Sequence, residues 1–201
     1  MVMSLSRAAG WWAALLLGIA FSLATVTQAR ANNEKALWAA LATPGHFALM
    51  RHALAPGTGD PEAFRLEDCT TQRNLSEAGR RQAERTGTAF RENGIRAARV
   101  LSSQWCRCLE TARLLDLGPV NPEPALNSFF RTMTKGPEQI ERLRDVIAKL
   151  PLKGPVVMVT HQVVITGLVD IVPSSGEMLV VRRQEDGSLK LVGRIAPRPT
   201  E

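Results

Sequence analysis

Phe47-Ala48-Leu49-Met50-Arg51-His52 is the stretch on which the fold turns. It is a brief, unbroken apolar run, not an alternating one, and this is the pattern of an inner strand in a parallel sheet covered on both faces. The run stops abruptly at a guanidinium and an imidazole. Arg99 to Ser102 and Val156 to Thr160 repeat the pattern, the first running on into Ser103 and the second into His161.

Helical patterns lie between these strands. Ser76 is placed to cap a helix that ends at Asn93-Gly94, with Ala78, Ala83, Gly87 and Phe90 recurring at helical spacing. Further helices are expected from Gln104 to Leu115, from Pro137 to Leu150, where Pro151 stops the pattern, and from Gln162 to Ile171. Met178 to Arg183 and Ser188 to Arg194 read as a hairpin around Asp186-Gly187. Strand and helix alternation of this kind predicts an α/β fold: three α/β/α layers around a mostly parallel central sheet. Ligands of such folds sit in the crevice beyond the carboxyl ends of the strands. That rule gathers Arg51-His52, Ser102-Ser103 with the following Cys106-Arg107, and Thr160-His161 into one predicted site. The Gly- and Pro-rich stretch from Ala55 to Thr71 is expected to form a loop over it.

Residues 1–31 have the layout of a secretory signal peptide: Arg7, an apolar run from Ala8 to Val26, and the small-x-small triplet Ala29-Arg30-Ala31. With them removed, residues 32–201 are expected to form one domain in the periplasm or outside the cell, without a stable membrane anchor. The net charge of +6 falls to +4 when Arg7 and Arg30 leave. That balance suits an anionic substrate, and the absence of a basic arm or lysine-rich run argues against nucleic acid. Arginine is abundant and lysine scarce, and arginine's planar fork matches phosphate oxygens two at a time. Of the three cysteines, Cys106 and Cys108 are too close on a helix to bridge comfortably, so Cys69 is expected to pair with one of them. Three cysteines without a C-x-x-C pair or nearby histidine match no zinc pattern. No metal or cofactor is expected.

Two of the three histidines, His52 and His161, fall at predicted strand ends; His46 precedes a strand and takes a structural reading. A neutral imidazole can attack phosphorus when its other ring nitrogen is held by a hydrogen bond. Neighbouring arginines then meet the charge on the phosphoryl oxygens.

The run Leu49-Met50-Arg51-His52-Ala53 resembles the L-x-R-H-G signature of the histidine phosphatase superfamily, which has a phosphoglycerate mutase-like fold. Leu75-Ser76-Glu77-Ala78-Gly79-Arg80-Arg81-Gln82-Ala83 resembles its L-[ST]-x-x-G-x-x-Q-A segment. Val100 to Ser103, continuing through Arg107 to Ala112, resembles a third, and Val156 to His161 resembles the strand ending in its second histidine. The resemblance implies that His52 is phosphorylated, that Arg51 and Arg107 clamp phosphoryl oxygens, and that His161 completes the pocket. It also places Arg73 at the substrate entrance, and Ser103, with the helix N-terminus that follows it, is expected to bind the substrate phosphate.

Two departures stand out. Ala53 replaces the signature's glycine, which is tolerable unless the backbone there needs a positive φ. Ser128, in Leu126-Asn127-Ser128, stands where larger relatives carry a carboxylic acid for the leaving group. A positioned acid is worth about 10²-fold or more on an alkoxide. Its absence points to a phosphoramidate or acidic leaving group, or to an acid from elsewhere, with Asp60, Asp68 and Glu177 as candidates. The expected activity is metal-independent hydrolysis of phosphate monoesters, the substrate being a phosphorylated small molecule or an envelope glycan or lipid phosphate. The alternative is a non-catalytic phosphate-binding module, and a mutase is least favoured.

Overall fold

The computed structural model describes residues 33–200, so the expected leader lies outside the described residues. A helix over residues 33–41 (α1) buries Leu37, Trp38 and Leu41. The order that follows is β1 (His46–Arg51), α2 (Glu77–Glu92), β2 (Arg99–Ser102), α3 (Cys106–Leu114), β3 (Val120–Pro122), α4 (Gly136–Lys149), β4 (Val156–Thr160), α5 (Gln162–Val169), β5 (Met178–Arg183) and β6 (Leu189–Ile195).

The six strands form one sheet in the order β3-β2-β4-β1-β5-β6. The β2–β3, β2–β4 and β1–β4 pairs are parallel, and β5 and β6 add an antiparallel edge. The apolar run of β1 is explained by its neighbours. Ala48 and Met50 pack with Phe90, Val100, Leu115 and Val157 on one face, while Phe47 and Leu49 pack with Leu143, Ile147, Met158 and Ile165 on the other. Both faces are covered, and no polar alternation survives. The three-layer α/β reading holds.

Helix ends follow the local chemistry. The Ser76 hydroxyl accepts from the Gly79 amide at 3.1 Å to start α2, and Asn93 caps its other end. Gly79 lets α2 approach the loop after β1: a Cβ there would lie 2.0 Å from the Leu54 carbonyl oxygen. All four predicted helices are present, two of them with trimmed ends. α3 runs only over Cys106–Leu114, because Trp105 before it is extended and its amide donates to the Ser103 hydroxyl, and α5 stops at Asp170 in the left-handed conformation. Sequence patterning did not anticipate α1 or β3, the latter only three residues long with two of them exposed.

Candidate active site

The parallel register of β1 and β4 places Arg51 beside Thr160, so the next residues, His52 and His161, emerge together. Their ring centroids lie 5.6 Å apart. β2 flanks β4 on its other side, and the turn after it delivers Arg107 from the first turn of α3. All three side chains are buried, at 2–3 % exposure. They line a cavity of about 320 Å³ together with Arg51, Asp60, Phe64, Arg73, Trp105, Ser128 and Phe130.

The hydrogen bonds define the state of each imidazole. His52 Nδ1 lies 2.8 Å from the Ala53 carbonyl oxygen, which only a donor can satisfy, so its Nε2 carries the lone pair. Arg107 Nε donates to that Nε2 at 3.2 Å. His161 Nδ1 in turn accepts from Arg107 Nη2 at 3.3 Å, and its Nε2 meets the Ser103 hydroxyl at 2.8 Å. Burial, followed by the positive charge of Arg107, pushes both imidazoles well below their usual range, so both are neutral at pH 7.

Asp60 braces this arrangement from the loop. Its carboxylate receives Arg107 Nη1 at 2.7 Å and Nη2 at 3.2 Å, Trp105 Nε1 at 3.1 Å and the Arg73 amide at 3.1 Å. Burial alone would raise its carboxyl group, but Arg107's hydrogen bonds and charge, with the Arg73 and Trp105 bonds, hold it below the usual carboxylate range. Asp60 is therefore an ionised brace and not a stored proton. The other two acids considered lie outside the cavity: Asp68 caps a turn over Cys69–Thr71, and Glu177 pairs with Arg194 and the Ser174 amide.

Arg51 donates through Nη1 to the Pro173 carbonyl at 2.9 Å, while its Nε is buried without a hydrogen-bond partner. A buried unmet donor costs about 1–3 kcal/mol. Arg73 lines the cavity as expected, but its Nε and Nη1 hold the Gly59 and Ala55 carbonyls and so fasten the loop over the site. The N-terminal turn of α5, Gln162 and Val163, adds a helix end favourable to anions.

Ser103 differs from its expected substrate-binding role. Its hydroxyl bonds His161, Asn127 and the Trp105 amide, and it does not line the cavity, so it positions the second imidazole. The α3 amides are also engaged, Gln104 N with Asn127 Oδ1 and Cys106 N with Gln72 Oε1. Ala53 is at home, because its φ is not positive and its amide donates to Thr111 Oγ1.

The sequence of the histidine phosphatase superfamily (branch 1) matches residues 47–131, the part carrying His52, Arg73 and Arg107. That segment carries the chain's likeness to the superfamily. Solved structures extend the likeness of fold beyond that segment. The protein histidine phosphatase SixA complexed with tungstate has a TM-score of 0.57 at 16% identity, covering 76% of this chain and 97% of its own. A mycobacterial glucosyl-3-phosphoglycerate phosphatase has a TM-score of 0.54 at 15% identity, with 73% and 96% covered. A phosphoserine phosphatase variant from Entamoeba histolytica in complex with phosphoserine gives 0.54 at 14%, with 74% and 95% covered. At these identities the likeness establishes the fold. No curated protein sequence matches the chain significantly.

Cys69 pairs with Cys106, which settles the choice that spacing left open, and Cys108 is buried and free. Burial pushes its thiol up to about 12, so it stays protonated beside His161 Nε2, 3.5 Å away. The disulfide joins the loop bearing Asp60 and Arg73 to the residue before Arg107. For a sequence separation of 37 residues, chain entropy puts its contribution at about 4 kcal/mol. A Cys69→Ala/Cys106→Ala double variant is expected to lower the denaturation midpoint accordingly and to raise KM, as equilibrium unfolding and steady-state kinetics will show. Among the described residues no group of three or more His, Cys, Asp or Glu side chains is placed to hold a metal ion.

Sequence reasoning missed the bracing role of Asp60, the Asn127 and Gln72 supports, and the aromatic side chains of the cavity. Asp60 sits in Gly57-Thr58-Gly59-Asp60-Pro61, a turn signal and nothing more, 47 residues from the arginine it holds.

Proposed function

We propose that this chain is a metal-independent phosphatase that hydrolyses phosphate monoesters, or related phosphoryl groups, through a phosphohistidine on His52. The observation that carries the reading is an unprotonated His52 Nε2, fixed by the Nδ1 bond to Ala53, that meets the buried Arg107 guanidinium in a cavity also lined by Arg51. The relatives of like fold are named as phosphatases, which supports the same reading.

In the proposed cycle the phosphoryl oxygens draw Arg107 Nε away from His52 Nε2, which frees the lone pair to attack phosphorus. Electrons of the bond to the leaving oxygen depart with it. Arg51 and Arg107 meet the charge of the transferring group, and the neutral His161 ring completes the pocket. Water then attacks the phosphohistidine, the N–P electron pair returns to Nε2, and the water proton passes to solvent. The leader-like residues 1–31 support export, and we place the enzyme in the cell envelope or outside the cell, where a phosphorylated small molecule is the substrate.

The test is turnover of p-nitrophenyl phosphate with a chelator present; the guanidinium groups supply the positive charge, so the chelator is expected to leave the rate unchanged. The pH profile adds a second arm. A nucleophile whose proton affinity is depressed is already a free base below its ordinary value of 6.5. The acid limb of kcat/KM, corrected for substrate ionisation, is expected to fall below pH 6.5, because that limb reports the free enzyme. An acid limb above it contradicts the assignment.

A further inference from the structure

The cavity extends beyond what a phosphoryl group occupies, and its outer part has a different chemistry. Phe64 stacks on Trp105 with ring centroids 5.0 Å apart and planes 16° from parallel, and Trp105 meets the His161 ring edge-on at 5.3 Å. Phe130, 50 % exposed, adds a third aromatic face to the lining from the segment after Ser128. That segment is tied across to the loop by Arg131, which donates to the Pro61 and Glu62 carbonyls. The aromatic rings are thus held next to the reacting histidines by two joined lips.

The same lining is poor in proton donors. Asp60 is its one carboxyl group, and all its contacts are with donors: Arg107, Trp105 and the Arg73 amide. Ser128 offers a hydroxyl that accepts from the Phe130 amide, and a hydroxyl is no acid at neutral pH. A departing alkoxide would find nothing here to protonate it, whereas a phenolate departs as a stable anion. A flat ring on the leaving group would also find aromatic partners at stacking distance.

We infer that Phe64, Trp105 and Phe130 form a leaving-group slot, and that the preferred substrates are aryl phosphate monoesters. The inference rests on the phosphatase reading of the site and names its substrate class. In the transfer step the His52 Nε2 lone pair forms the N–P bond while the P–O bond to the aryl group breaks, its electron pair leaving on the phenolate. Hydrolysis by water returns inorganic phosphate, and the proton released is taken up by the phenolate in solution.

Two measurements test this. The first compares phenyl phosphate with n-butyl phosphate as substrates of the wild-type chain, and kcat/KM is expected to be about 10²-fold higher for the phenyl ester. The second, independent of turnover, measures binding of unreactive phenylphosphonate and methylphosphonate to the wild type and to Phe130→Ala and Phe64→Ala. Loss of a ring is expected to weaken phenylphosphonate about fivefold in either variant and leave methylphosphonate unchanged. Phe130 is half-exposed, so its truncation leaves folding intact. Similar rates for both esters, or phenylphosphonate binding indifferent to both truncations, overturn the slot while His52-dependent turnover still stands. Failure to turn over either ester overturns the phosphatase reading and the slot with it.

Discussion

His52→Ala is expected to lower kcat/KM for p-nitrophenyl phosphate by at least about 10⁴-fold while leaving the fold intact, because removing a nucleophile removes the covalent route itself. The fold prediction follows from the ring's few obligations. His52 bonds one adjacent carbonyl and accepts from Arg107, and the cavity beside it gives water access to what truncation exposes. Circular dichroism and the denaturation midpoint check the fold, and initial rates check the loss. A variant within tenfold of wild type assigns the chemistry elsewhere.

Arg107→Ala carries the second large effect, and it acts on two quantities that can be separated. Activity is expected to fall about 10³-fold, the scale set by removal of a preorganised donor at the developing charge. Stability is expected to fall by about 3 kcal/mol as well, since Asp60 loses the partner with which it is buried at 7 % and 3 % side-chain exposure. Adding Asp60→Ala removes the stranded carboxylate. The Arg107→Ala/Asp60→Ala chain is therefore expected to recover much of the midpoint in denaturant and none of the activity. If the double variant is no more stable than Arg107→Ala, the brace is not what holds this corner together.

The parts of this molecule that were legible in the sequence are those written in contiguous residues. The apolar runs of β1, β2 and β4 have no polar alternation because helices cover both faces, and that alone fixed the sheet and its carboxyl-end crevice. His52 and His161 could be paired because each follows directly on such a run. Ser76 and Asn93 marked α2 because capping is local chemistry. What stayed hidden depends on tertiary placement. Ser103 has the composition of a phosphate ligand, but the depth of the β2–α3 turn aims its hydroxyl at an imidazole. Asp60 was one of three candidate acids, and only the approach of the loop to Arg107 distinguishes a brace from a proton donor. The choice of Cys106 over Cys108 is a matter of which side of α3 faces the loop and which faces the sheet.

The account depends above all on the covalent step at His52, and trapping that adduct tests it most directly. Wild-type protein quenched during turnover of labelled substrate is expected to carry phosphate that is stable to base, lost in acid and mapped by peptide sequencing to His52, with none on His52→Ala. Label on another residue, or steady turnover without a trappable adduct on His52, would contradict it.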